Sequence, residues 1–197
     1  MSATNRGAER KPLDAYYTDD VDARDCVAAL HFAPGSRVLE PHCGGGAFVR
    51  ALLDAPNVRI VDANDVNADV CNSFVLPGRV NHTFREDFTT FRTGWACWDW
   101  IVGNPPFSDA ERHIRHALTL APNVAFLLRL AMLESERRRQ FWIDHPLADL
   151  FVFGRRPSFM GGKTDSAAYG FFVWRAGHSG PFRGHALKQS PRPGATP

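Results

Sequence analysis

No stretch of this 197-residue sequence approaches the ~20 consecutive apolar residues that a membrane helix requires. Residues 1–12 are polar and lack the basic-then-apolar pattern of a secretory signal, so a soluble, cytoplasmic chain with no membrane partner is expected. Cysteine is scarce. Cys26, Cys43, Cys71 and Cys97 show no paired metal spacing and are expected as reduced thiols in or near a core. His113 and His116 lie three apart on an expected helix, but no second cluster completes four ligands. A solvated helix face is expected for them, and no metal. Excess charge is missing too: a formal net charge of +2 does not by itself indicate a nucleic-acid partner.

What is present suits one compact α/β domain. Apolar residues make up 44% of the chain, enough for a substantial core, and nothing marks a second domain. The expected domain covers residues 13–176, between a disordered arm over 1–12 and a disordered basic tail over 177–197 that is rich in Gly, Pro and Ser. Helices are expected over 20–31, 47–54, 109–120 and 134–144, and strands over 38–40, 58–61, 80–84, 98–102, 124–128, 150–153 and 169–174. The near-continuous apolar run Val124-Ala125-Phe126-Leu127-Leu128 is what a strand buried on both faces needs. Right-handed crossovers then give a doubly wound, mostly parallel, seven-stranded sheet that binds its ligand at the carboxyl ends of the strands.

Two segments carry chemistry. Asn104-Pro105-Pro106-Phe107 follows the apolar run Trp98-Asp99-Trp100-Ile101-Val102-Gly103, where a buried strand ends. Two prolines fix φ and remove two N–H donors, so this loop is stiff and its carbonyls point away from the ladder. The Asn104 side-chain oxygen and the Pro105 carbonyl can accept both hydrogens of an exocyclic aromatic amine, such as N6 of adenine, whose ring lies against Phe107. Upstream, Val38-Leu39-Glu40-Pro41-His42-Cys43-Gly44-Gly45-Gly46 reads as a strand, an acid at its end and a glycine turn that admits a ligand to the backbone. No Lys-Ser/Thr follows the glycines, which argues against a nucleoside triphosphate loop.

The order of these elements resembles the S-adenosylmethionine-dependent amino-methyltransferases. A glycine loop follows the first strand, Asp65 the second, Asp87 the third, and Asn-Pro-Pro-Phe the fourth. More narrowly, it is similar to the N6-adenine DNA methyltransferases of phage and mobile-element type, in which the cofactor loop precedes the catalytic loop. The resemblance implies a Rossmann-like class I methyltransferase fold with S-adenosylmethionine as cofactor. It places Glu40 and the turn from Gly44 to Gly46 at the amino-acid half of that cofactor, Asp65 on its ribose, and Asp87 with Phe88 at its adenine. Asp62 competes for the ribose role, and Asp65 is preferred because the family acid sits in the turn. Tyr16 and Thr18 resemble the family's N-terminal motif that closes over the methionine moiety.

The same resemblance makes Asn104, Pro105, Pro106 and Phe107 the catalytic loop and Phe159 the second aromatic wall for an extruded base, with Tyr169 as the competing wall or a core residue. Arg155 and Arg156 precede Phe159 and are expected to hold phosphates, whereas Arg137, Arg138 and Arg139 are expected to form a solvated helix face. The chain ends soon after its last expected strand, without the target-recognition domain of large sequence-specific enzymes. Loose sequence preference or an accessory recognition partner follows, with DNA preferred to RNA as substrate. Protein glutamine methylation and a non-catalytic subunit are the remaining alternatives, and the intact Asn104 to Phe107 loop argues against the last.

Overall fold

The computed structural model describes residues 17–67, 79–92, 97–159 and 166–192. Helix α1 (Asp20–Ala28) is followed by β1 (Ser36–Glu40), α2 (Ala47–Leu53), β2 (Val58–Asn64), β3 (Val80–Phe84) and β4 (Trp100–Gly103). Then come α3 (Ala110–Leu120), β5 (Asn123–Arg129), α4 (Arg139–Asp144), β6 (Asp149–Val152), β7 (Tyr169–Arg175) and β8 (Arg183–Ala186). One sheet holds all eight strands in the order β3-β2-β1-β4-β5-β7-β6-β8. The chain builds outward from β1 to β3, returns to place β4 on the other side of β1, and continues to β5. β7 runs antiparallel to both of its neighbours, whereas the other strand pairs are parallel.

Strand residues alternate between two apolar layers. Val38, Val61, Trp100, Val102, Ala125 and Leu127 pack under α1 and α2. Leu39, Ile101, Val124, Phe126 and Leu128 face the layer that holds Ala110, Ile114 and Ala117 of α3, spaced as one face of a helix requires. Among the described residues no helix is long and apolar enough to cross a membrane.

Four features depart from the sequence-based expectations. β2 continues past Val61 because the fully buried Asp62 finds partners: Arg37 Nε and Nη2 donate to Oδ2 at 2.9 and 2.8 Å, and the Trp98 indole N–H donates to the same oxygen at 2.7 Å. The helix expected over 134–144 forms only as α4, preceded by short 3₁₀ turns. Ser135 takes φ of 144°, and the Arg138 guanidinium donates to the Ala131 and Glu134 carbonyls, diverting them from a helical ladder. Cys26 and Cys43 are buried thiols as expected, but Cys97 is exposed, and Cys71 lies outside the described residues.

The fourth departure is the tail. Residues 177–192 are not a disordered extension: β8 adds an eighth strand beside β6, and Leu187 to Arg192 run back to α1. Asp149, buried on β6, accepts from Arg183 at 2.8 Å, His185 at 3.1 Å and Arg175 at 3.5 Å. Asp22 on α1 has no exposed surface and accepts from Arg192 at 2.7 Å, Arg155 at 3.3 Å and the Ser158 amide at 2.7 Å. Its neighbour Asp25 takes the Ser190 amide and hydroxyl. Arg183 and Arg192 of the basic tail are thus taken up by carboxylates buried elsewhere in the chain, which composition alone does not reveal. The arm over 1–12 lies outside the described residues.

Hydrogen bonds from Arg183, opposed by burial and reinforced by His185, hold the Asp149 carboxyl at about 2 against an ordinary value of 3.8. A carboxyl depressed in the folded state stabilises β8 docking above the ordinary value and loses that contribution as pH falls through the folded one. Amides of residues 183–187 should therefore lose hydrogen-exchange protection, after normalisation to intrinsic rates, as pH falls from 3.8 through about 2. Asp149→Asn should bring the same loss at neutral pH. Unchanged protection in the variant would show that β8 is held by its backbone alone.

Candidate active site

β1 and β4 are neighbours, with Val38 opposite Trp100 and Leu39 opposite Ile101, so the loops after them emerge side by side. The first loop turns through Gly44 and Gly46, with φ of 44° and 79°. Its shape is fixed from β2: the Cys43 amide donates to the Asn64 carbonyl, and the Gly44 amide donates to Asp65 Oδ2, both at 2.9 Å. A second constraint acts at Gly44, where an added Cβ would lie 2.6 Å from Cδ1 of Tyr17. Tyr17 therefore rests directly on the glycine turn. Burial raises the pKa of its hydroxyl, with further upward contributions from Asp65 and Cys43.

Glu40 closes the floor of the site. Its side chain is buried, Oε1 accepts from the His42 amide at 2.9 Å, and the carboxyl lies so close to Gly103 that a Cβ there would overlap Oε1. Burial pushes this carboxyl well above the usual carboxylate range; the His42 amide opposes the shift and Asp65 adds to it. A cleft lies above, lined by Tyr17, Thr18, Glu40, His42, Gly44 and Asn104 among others. Asn104 Nδ2 donates to the Thr18 hydroxyl at 3.1 Å, tying the catalytic-loop candidate to the segment that enters α1. Thr18 in turn bridges Phe159 backbone to backbone.

Glu40, Gly44, Thr18 and Asn104 thus share one cleft, and Asp65 sits at its glycine turn. Asp62 has no exposed surface and is locked into the sheet by Arg37 and Trp98. Asp87 is exposed, and the Thr89 hydroxyl and amide both donate to it, lowering its pKa. Phe88 is buried against His42, His113 and His116 rather than lying open beside Asp87. Tyr16 lies outside the described residues.

The substrate side needs more correction. Phe107 and Phe159 do not face one another across a gap. Their ring centres are 6.0 Å apart at 74°, an edge-to-face contact, and Phe159 is only 3% exposed. A base sandwiched between parallel walls needs about 7 Å, twice an ordinary carbon contact. Tyr169 is a core residue that also touches both rings. Arg155 is committed to Asp22, the Ser190 carbonyl and Gln189, because a carboxylate with no solvent must be compensated by charge. Arg156 is exposed, and its carbonyl accepts from Arg192.

Two groups were not anticipated. The Arg129 guanidinium, at the end of β5, sits 5.0 Å from the centre of the Phe107 ring, and its Nε donates to the Tyr169 hydroxyl at 3.4 Å. A charged residue ending the apolar run of β5 was the available signal. His42 and His113 join through Nε2 and Nδ1 at 2.8 Å, and burial pushes both pKa values down, that of His113 to about 4. His113 is therefore buried, not part of a solvated face. His116 turns to the Phe91 carbonyl at 2.9 Å, and among the described residues no group of three potential metal ligands gathers.

No protein-family model matches the sequence, and neither does any curated protein. Solved structures do. A proposed RNA methyltransferase from Pyrococcus horikoshii superposes with a TM-score of 0.64 at 14% identity, over 87% of this chain and 93% of that one. The fold is that of the class I methyltransferases. The 23S rRNA methyltransferase ErmE gives a TM-score of 0.61 at 15% identity over 89% and 73% of the two chains. A modification subunit of a proposed type I restriction enzyme from Vibrio vulnificus gives 0.63 at 18%, over 85% of this chain and 45% of that subunit. In this Rossmann-like fold the glycine turn after β1 and the proline turn after β4 flank the strand-order reversal, where open α/β sheets bind ligands.

The contact between Glu40 and Gly103 gives a direct test. Gly103→Ala should cost about 1–3 kcal/mol of stability, as expected when a methyl group is forced into filled space. Combining it with Glu40→Ala should recover part of that loss in urea unfolding. Strict additivity of the two changes would show that the side chains do not meet.

Proposed function

We propose that the protein is an S-adenosylmethionine-dependent methyltransferase that acts on the N6 amine of adenine in DNA, with little sequence recognition of its own. The observation that carries this reading is the juxtaposition of Asn104-Pro105-Pro106-Phe107 with the Gly44 to Gly46 turn across the β1/β4 pair. The residues fit the cofactor. Gly44 and Gly46 leave the turn without side chains, Asp65 places a carboxylate with about four lone-pair sites at its rim, and Glu40 lies below. When bound, S-adenosylmethionine supplies an electrophilic methyl group on a sulfonium.

The chain's own contribution is positioning. Adenine N6 is a poor nucleophile because its lone pair is delocalised into the ring. Accepting its two hydrogens at Asn104 Oδ1 and the Pro105 carbonyl favours a more tetrahedral nitrogen as the new bond forms. Asn104 spends an amide hydrogen on Thr18, which fixes the plane of the amide and turns its oxygen to the other side. Holding the amine in line contributes up to ~7–11 kcal/mol in the best intramolecular cases. A stacked base cannot reach this loop, so the adenine must be extruded toward Phe107. The Phe107 ring faces Arg129, and Phe159 supports it from below instead of forming a second wall.

RNA adenine methylation is the second reading, favoured by the names of two of the compared structures, an RNA and an rRNA methyltransferase. In either case the reading includes a loose sequence preference or recognition supplied by a partner. Incubation with labelled S-adenosylmethionine and duplex DNA, single-stranded DNA, RNA or protein, followed by nucleoside analysis, should yield N6-methyladenine from DNA.

Two variants divide cofactor binding from chemistry. Asp65→Ala should weaken S-adenosylmethionine by roughly 1.5–3 kcal/mol, the worth of a hydrogen bond to a charged group, while Asp62→Ala should mainly lower stability. Calorimetry giving equal affinity for wild type and Asp65→Ala would remove the ribose assignment. Asn104→Ala should lose most methyl transfer with cofactor affinity nearly unchanged, because its amide oxygen is assigned to the substrate amine and its amide hydrogen to Thr18, neither to the cofactor. Near-normal turnover in that variant would remove the proline turn from the mechanism.

A further inference from the structure

The commitment of Arg155 to Asp22 removes one of the two cations first assigned to the substrate backbone, and another set of arginines borders the same aromatic ring. Phe107 and Ser108 form one end of an open cleft of about 370 Å³, whose walls carry Arg112 and Arg115 from α3 and Arg137 and Arg138 from the turn before α4. Four arginines face two carboxylates there, those of Asp109 and Glu111. The four differ in what they already do. Arg115 Nε and Nη2 donate to Glu111 Oε1 at 3.1 and 3.0 Å, and its guanidinium lies 4.9 Å from the Phe141 ring centre. Arg138 holds the Ala131 and Glu134 carbonyls and lies 3.9 Å from Glu111. These two build the walls.

Arg112 and Arg137 are different. The Arg112 side chain is 57% exposed and comes no nearer than 3.7 Å to Asp109, beyond hydrogen-bond length. Arg137 is exposed and has no ion-pair partner among the described residues. Both therefore present guanidinium groups to whatever enters the cleft, one from α3 and one from the turn before α4. Planar guanidinium forks match phosphate oxygens in pairs.

We propose that this cleft holds the sugar-phosphate backbone of the DNA strand flanking the target base, with Arg112 and Arg137 on its phosphates. The inference rests on the DNA adenine reading above and adds the path of the strand to it. The base would enter at Phe107 while the adjoining backbone lies along the arginines, which places the strand over α3 and α4 rather than over Arg155 and the tail. Arg137, the first residue of the triplet at 137–139, is then part of the substrate surface and not of a solvated face alone.

The test uses the full chain and a fluorescein-labelled DNA duplex with one adenine opposite an abasic site, followed by anisotropy over a salt series. Arg112→Ala/Arg137→Ala should weaken binding by roughly tenfold or more and reduce the slope of log K against log salt by about 2, near 0.9 for each duplex phosphate that is no longer neutralised. Arg24→Ala/Arg59→Ala removes the same charge from exposed positions away from the cleft and should leave most of the affinity and slope intact. Equal weakening in the two double variants would reduce the effect to net charge and overturn the site, as would wild-type binding confined to RNA. Nucleoside analysis and cofactor calorimetry on the same samples keep the two readings apart. N6-methyladenine formed by wild type together with unimpaired DNA binding by Arg112→Ala/Arg137→Ala would reject the cleft and leave the chemistry standing.

Discussion

The register of β1 against β4 decides where every proposed contact lies. Leu39 stands opposite Ile101, so Glu40 and the residues after Val102 reach the sheet edge at the same level, and the Glu40 carboxyl comes to rest on Gly103. A one-residue slip would exchange the two faces of β4 and send Ile101 to the layer of α1 and α2. The site thus inherits its precision from apolar burial on both sides of the strand. Chemistry at the loops depends on the core beneath them more than on the loops themselves.

Around this centre the protein uses buried carboxylates as fasteners. Asp22, Asp62 and Asp149 each lie at or near zero exposure, and each takes arginine from a distant part of the chain. Such pairs offset a large desolvation cost instead of adding much net stability, so their value lies in choosing one arrangement over others. Arg155 illustrates the consequence. Its charge, adjacent in sequence to an aromatic that looked like a base-stacking wall, is already neutralised inside the fold. The phosphate contacts proposed above are therefore sought among arginines whose local partners are poor.

Much of the fold was legible because hydrophobic runs and glycine or proline turns are local signals. The strands β1, β3 and β5, the helix α3 and the two site loops all announce themselves within a dozen residues. What escaped reading depends on pairings across the chain. β8 forms because Asp149 lies in wait for Arg183 and His185, and nothing in a Gly, Pro and Ser-rich segment indicates that partner. Phe107 and Phe159 were expected on two sides of a base-wide gap and instead touch edge to face, since a sequence gives no measure of a gap. The His42 and His113 pair joins a loop to a helix across 71 positions, beyond the reach of any motif. The positions of Asn104 and Asp65 were accessible for the opposite reason: each directly follows a strand, and strand ends are local signals.

The closing of α1 by the tail has a consequence for the order in which the molecule is completed during synthesis. Thr18, which receives the Asn104 amide, enters a helix whose Asp22 and Asp25 are satisfied by Arg192 and Ser190, residues 170 and 165 positions away. Contacts of such separation form late, after most of the chain entropy has been lost. A nascent chain on the ribosome can assemble β1 to β5 and still hold two uncompensated carboxylates on the helix that follows Thr18. Asp22 and Asp25 therefore gain their last partners only when residue 192 has emerged, so the helix that follows Thr18 is completed by a segment translated long after the two loops of the cleft.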